Sequence, residues 1–130
     1  MRERDVFVLL DQMLEASRNE ASFVEGLSEA ECLADVKTQQ AVAMNLIIIG
    51  EAATRLGRDH AAFAEAHPDL PWRRMIAMRK RIAHGCGELD FRVNWKTTVE
   101  DEAELLKRLE SIYQAAGEEL GGRSRPQDQD

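Results

Sequence analysis

Residues 41–50 read Ala41-Val42-Ala43-Met44-Asn45-Leu46-Ile47-Ile48-Ile49-Gly50. As a helix, this run is apolar almost all round. It is too short to cross a bilayer, which takes about 20 residues, and Asn45 interrupts it. A helix outside a membrane with apolar residues on every side is the central member of a bundle, covered by its neighbours. Asp35 or Thr38 can cap the start of this helix, which should reach about Leu56, with Gly57 as its stop.

The flanking segments supply those neighbours. Val6, Leu9, Leu10, Met13 and Leu14 recur at the spacing of an amphipathic helix, and the stripe fades near Ser17. Ser22 to Gly26 reads as a connection. Ser28-Glu29-Ala30-Glu31 carries the pattern of a capping box and should open a short helix. Beyond Gly57, Arg58 to Ala66 can form another short helix, ended by His67-Pro68. Pro71 suits the first turn of the next helix, expected from Trp72 to about Ala83 and broken by Gly85 and Gly87. Asp90 can cap a last long helix from near Phe91 to near Leu120, with a break expected around Asp101 and a stripe of Leu105, Leu106, Leu109, Ile112 and Tyr113. No repeat and no alternating strand pattern is present. The expectation is an all-α bundle of four to five helices over residues 1–120. A tail, 121–130, has no apolar residue and should be mobile.

Composition agrees. In 130 residues, 44% hydrophobic and 32% charged side chains suit a globular domain rather than a disordered or collagenous chain. Aromatics at 5%, with 3 Pro and 8 Gly, argue against a β-sandwich or barrel. Cys32 and Cys86 are far apart and form no CxxC, so they read as reduced cytosolic thiols rather than a zinc knuckle or a disulfide framework. Met1 to Asp5 is not followed by the apolar core of a secretion signal, and a cytoplasmic location without membrane attachment is expected.

The net charge is −7, so binding to nucleic acid requires a local patch. One exists. Between Trp72 and Lys96 stand Arg73, Arg74, Arg79, Lys80, Arg81, Arg92 and Lys96 against Glu88 and Asp90, a local charge of +5 that leaves −12 elsewhere. Helix C-termini favour basic residues in any case, through the macrodipole. Position within the helix says more. Trp72, Met75, Ile76, Ile82 and Ala83 form the expected buried stripe, and Arg79 falls among them, three residues from Ile76 and four from Met75. An inward guanidinium is either paired with a carboxylate or faces an interface or anion site; Glu51 on the central helix is the obvious pairing partner.

His84 stands between Ala83 and Gly85, small neighbours that leave an imidazole accessible. A histidine at a helix end can simply serve the dipole, but it can also exchange protons near neutral pH. His60 and His67 read as surface residues, and the three histidines lack metal-ligand spacing, so no metal or other cofactor is expected. An arginine and a histidine can cut RNA without a metal, because the 2′-hydroxyl is an internal nucleophile that needs only proton transfer and charge stabilisation. On one ideal helix, however, Arg79 and His84 lie about 140° apart around the axis. Either the helix ends before His84, or a second subunit completes the site.

At these residues the chain resembles the HepT-like family of HEPN domains, the toxin half of HepT–MntA toxin–antitoxin pairs. The resemblance rests on Asn45 to Ala53, on Pro71 to Gly85 and on the Asp90 to Trp95 start of the last helix, three separated matches in order that extend to most of the chain. It implies an antiparallel all-α HEPN-like bundle that dimerises and brings two Arg/His motifs into one cleft. It implies metal-independent endoribonuclease activity, with Arg79 holding the scissile phosphate and His84 as general acid/base. The implied product end is a 2′,3′-cyclic phosphate. From the basic patch, Arg73, Arg74, Lys80 and Arg81, which can all reach water, are the candidate RNA-binding residues. The implied partner is an MntA-like minimal nucleotidyltransferase antitoxin, which in the family adds AMP to a tyrosine two residues after the histidine.

Two positions depart from that pattern. Cys86 stands where the family has its tyrosine, and Lys80 follows the motif arginine where HEPN domains often carry a small polar residue. A thiol is a poor AMP acceptor. Three readings therefore stand side by side: a toxin-type ribonuclease, a degenerate HEPN module that binds nucleotide, RNA or the nucleotidyltransferase without cutting, and a helical protein whose Arg79 merely pairs with Glu51.

Overall fold

The computed structural model describes residues 2–85 and 101–119. Its elements are α1 (Arg2–Val24), α2 (Glu29–Leu33), α3 (Val36–Asp59), α4 (Ala61–Ala66), α5 (Trp72–Gly85) and α6 (Glu102–Glu119). Among the described residues, all regular structure is helical. The four long helices form the bundle, and the two short ones sit in its connections. The expected Phe91 start of the last helix and the tail 121–130 lie outside the described residues.

The first helix is about two turns longer than the apolar pattern indicates. Leu9, Leu10, Met13, Leu14 and Ala16 are buried, as the stripe requires. The same face then continues through Ser17 and Glu20, both fully buried, to half-buried Val24. Polar side chains on the inner face hide the period from a reading based on hydrophobicity. The reversal comes at Gly26, whose φ of 78° is the left-handed conformation that only glycine adopts without strain.

The capping residues act as anticipated at two helix starts. The Ser28 hydroxyl accepts from the Glu31 amide at 3.1 Å, and the Glu31 carboxylate accepts from the Ser28 amide at 3.0 Å. This reciprocal pair satisfies N–H groups that lack helical partners. Asp35, rather than Thr38, caps α3: it accepts from the Lys37 amide at 3.1 Å and from the Thr38 hydroxyl at 2.7 Å. The hydroxyl bond above all holds the Asp35 carboxyl below its usual range.

Gly57 does not end α3. The helix runs through it to Asp59, and the His60 amide closes the last turn onto the Leu56 carbonyl at 2.9 Å. Gly57 faces open space, where a helical glycine is tolerated. The short helix that follows consequently starts at Ala61 rather than Arg58. Pro71 stands just ahead of α5, and its carbonyl accepts from the Met75 amide at 3.0 Å.

Helix α1 runs antiparallel to both α6 and α3. The Phe7 and Tyr113 rings stack at 4.4 Å, while Arg18, further along α1, meets Glu110, further back along α6, at 3.0 Å. Asp5 near the start of α1 meets His60 past the end of α3, and Val24 at the end of α1 packs by Val42 near the start of α3. The main core joins Leu9, Leu10, Met13 and Leu14 of α1 to Ile49, Ala52, Ala53 and Leu56 of α3, Met75 of α5 and Leu109, Ile112 and Tyr113 of α6. Each fully buried leucine contributes about 1.5–3 kcal/mol by leaving water. A smaller cluster, Cys32 and Val42 with Val24, Leu33 and Leu46, lies under α2.

The central helix touches α1, α2, α4 and α5. Its cover is incomplete, however. Met44 is 57% exposed and Ile48 37%, so among the described residues the apolar run keeps an open outer face. The period of the run shows that every side is apolar; which side stays bare depends on where the neighbouring helices lie.

Candidate active site at the crossing of helices α3 and α5

Helix α5 is seated by polar contacts at its start. The Trp72 indole N–H donates to the His67 carbonyl at 2.9 Å, and the Trp72 ring meets Phe63 edge-on at 6.4 Å. The Arg108 guanidinium of α6 donates to the Asp69 carbonyl in the loop before it. From there α5 buries Met75, Met78 and Ile82 and half-buries Trp72 and Ile76. Met78 joins the expected stripe of Trp72, Met75, Ile76, Ile82 and Ala83 as a further buried member.

The crossing with α3 is set by Gly50. A Cβ at that position would lie 2.3 Å from the Cβ of Arg79 and 2.8 Å from the Met75 carbonyl oxygen. No side chain fits there, so the two helices touch backbone to side-chain root. This contact brings Arg79 to the next residue of α3, Glu51. The Arg79 Nε donates to Glu51 Oε1 at 2.6 Å, and Nη2 lies 2.5 Å from the same oxygen. The pairing expected for Arg79 is therefore present within one chain. It is not a buried pair, since the Arg79 side chain is 29% exposed and that of Glu51 49%. The guanidinium is held in place and remains within reach of a solute.

The other basic residues of α5 lie further round the helix. Arg73, Arg74, Lys80 and Arg81 are all exposed. Arg74 is paired with Asp101, at 2.6 Å from Nη1 to Oδ2, a partner the sequence did not suggest because 27 residues separate them. Cys86, Arg92 and Lys96 lie outside the described residues, as does the side chain of His84.

The backbone at His84 is described, and it resolves one alternative. Helix α5 continues through His84 to Gly85. It does not end before the histidine, so the five-residue step from Arg79 stays helical, about 140° around the axis and about 7.5 Å along it. One α5 helix places the two residues on different faces.

His60 and His67 are less exposed than expected. The His60 side chain is 9% exposed and bonds to Asp5 at 2.6 Å, and His67 is half-buried with its ring 4.4 Å from that of Phe63. Both sit at the ends of α4, where the chain turns back onto the core. Among the described residues no three His, Cys, Asp or Glu side chains are grouped as a metal site requires.

The family model for HepT-like ribonucleases matches residues 13–112, which takes in all of α3 and α5. The chain belongs to the HepT-like family. A relative from Thermococcus cleftensis whose name assigns it as a ribonuclease HepT is 37% identical over 103 residues, 79% of this chain and 91% of the relative. A relative from Methanocaldococcus jannaschii, assigned by its name as an RNase, is 30% identical over 112 residues, 86% of this chain and 90% of its own. A third, from Caldanaerobacter subterraneus and likewise assigned as an RNase, is 31% identical over 91 residues, 70% of this chain and 79% of its own. No solved structure matches the chain significantly. The all-α, HEPN-like bundle anticipated from the sequence is thus the architecture of a family member. Among the described residues, no helix is long and apolar enough to cross a membrane.

Proposed function

We propose that this chain is a metal-independent endoribonuclease acting as a homodimer in the cytoplasm, the toxin of a pair with an MntA-like nucleotidyltransferase. The observation that carries the reading is Arg79: a guanidinium fixed at the α3–α5 crossing, open to solvent, on a helix that remains regular through His84. Because one helix separates the two groups, the reading pairs the Arg79 of one protomer with the His84 of the other in the dimer cleft. The bare Met44 and Ile48 on the outer face of α3 are compatible with a second copy packing nearby.

In this reading His84 takes the proton of the 2′-hydroxyl as that oxygen attacks the adjacent phosphorus. The imidazolium so formed returns the proton to the 5′-oxygen as its bond to phosphorus breaks, and the products are a 2′,3′-cyclic phosphate and a 5′-hydroxyl. Arg79 neutralises charge that builds on the phosphoryl oxygens. Arg73, Lys80 and Arg81 are exposed and can follow neighbouring phosphates, and Arg74 can do so by exchanging Asp101 for phosphate.

The test is cleavage of end-labelled RNA by the purified chain in excess chelator. General acid–base groups contribute about 10²–10⁴-fold, so His84→Ala should slow cleavage at least about a hundredfold. Wild type and mutant equally inert across varied RNAs would overturn catalysis. One observation favours a second reading, a binding module without catalysis: Arg79 already has a carboxylate partner in its own chain. Cys86 in place of the family tyrosine points the same way for regulation, since it removes the AMP acceptor. RNA retained by the chain without cleavage would establish that alternative.

A further inference from the structure

The geometry points to Glu51 as the positioning residue of Arg79, an inference that rests on the reading of Arg79 as the phosphate-binding group. A guanidinium has five N–H bonds arranged along two edges. Glu51 engages one of them: its Oε1 lies 2.6 Å from Nε and 2.5 Å from Nη2. These two nitrogens form the side edge of the fork. The end edge, made by Nη1 and the outer N–H of Nη2, points along the side chain and away from that oxygen. A phosphodiester accepts two parallel N–H bonds from one such edge. Glu51 therefore holds the guanidinium by the edge the phosphate does not need and aims the other.

The sequence places the holding residue next to the one that permits the contact. Gly50 lets the Arg79 Cβ come so close that no side chain fits between, and Glu51 follows it on the same helix. Adjacent residues of α3 thus set both the root and the tip of the Arg79 side chain. With the root and one edge fixed, little rotamer freedom remains to be lost on binding. The alternative role for such a carboxylate is a mask, which competes with phosphate for the cation. The two roles differ in sign when the carboxylate loses its charge.

The experiment measures Glu51→Gln in the full chain. The probes are a cleavable RNA oligonucleotide and its uncleavable 2′-deoxy counterpart, read by cleavage rate and by fluorescence anisotropy. Glu15→Gln, at an exposed carboxylate of α1, controls for the change in net charge. Loss of a negative charge in general strengthens binding to a polyanion. Positioning predicts the opposite at Glu51: kcat/KM falls about tenfold or more, and affinity for the uncleavable probe falls too. In an Arg79→Ala background Glu51→Gln should then add almost nothing, because the residue acts through the arginine. A purely structural role would move the melting temperature and leave this coupling at zero. Tighter binding by Glu51→Gln than by Glu15→Gln would make Glu51 a mask and overturn the proposal. A wild type that cleaves while Glu51→Gln matches it would also overturn the proposal, leaving the ribonuclease reading intact. A wild type that neither cleaves nor binds would overturn both.

Discussion

Replacing Gly50 by alanine tests the crossing on which the site depends. The new methyl carbon would sit 2.3 Å from the Arg79 Cβ, 2.8 Å from the Met75 carbonyl oxygen and 3.2 Å from the Arg79 Cγ. Carbon atoms rest about 3.5 Å apart or more, so α5 must withdraw by about 1 Å. Neither the root of a side chain nor a backbone carbonyl can rotate away. Overpacking costs about 1–3 kcal/mol, and this site belongs at the upper end. Alanine in place of glycine inside a helix returns about 1 kcal/mol, so the net loss is about 2 kcal/mol. In a chain of this size that lowers the melting temperature by about 8 °C. Gly57→Ala is the matched control, since it lies in the same helix with nothing within 4 Å of the added carbon. It should gain about 1 kcal/mol and raise the melting temperature by about 4 °C. Thermal unfolding followed by circular dichroism measures both. The same substitution then has opposite signs two turns apart. If Gly50→Ala stabilises as Gly57→Ala does, the close approach of α3 and α5 is wrong and the placement of Arg79 falls with it.

Further predictions follow from the core and the caps. Leu109→Ala, at a fully buried position facing α1, should cost about 2–5 kcal/mol in urea unfolding, and a loss under about 1 kcal/mol would contradict the packing of α6. The Asp35 carboxyl, lowered first by the Thr38 hydroxyl, stabilises the fold above the unfolded carboxyl range near pH 4. That contribution disappears as pH falls through the lowered folded value, so the gap in melting temperature between wild type and Asp35→Ala should be open at pH 7 and close in acid. The Cys32 thiol is raised, by burial first and by the Asp35 charge second. Its stabilisation holds below the ordinary thiol range near pH 8.5 and is lost as pH climbs through the raised value. In a Cys86→Ser background, Cys32 should resist alkylation at pH 8 until denaturant is added; immediate labelling would refute its burial.

Much of the fold was readable because local signals are strong. The capping box at Ser28, the Asp35 cap and the stripe Leu105 to Tyr113 act through neighbours within a few residues, and the described elements follow them. The misses share a cause. Ser17 and Glu20 are polar but buried, so the α1 stripe looked shorter than it is. Gly57 carries the residue type of a helix stop without the backbone conformation that makes one. The Arg79–Glu51 pair was legible as a candidate, since an arginine on an apolar stripe demands a partner, but the importance of Gly50 was not. A glycine at the end of an apolar run gives no sign of which helix will cross it.

Read alone, the amino-acid order determined that this is an all-α chain, where most helices begin, and which charged residues stand out of place on their helix. Periodicity and capping are properties of contiguous residues, so they are written in the chain directly. Only the tertiary structure decided that α5 crosses α3 at Gly50, that Glu51 takes one edge of Arg79 while leaving it open to solvent, and that Met44 and Ile48 stay bare. The first two are contacts between residues about 28 positions apart, and no local rule specifies the angle and depth at which two helices meet or which face they leave open.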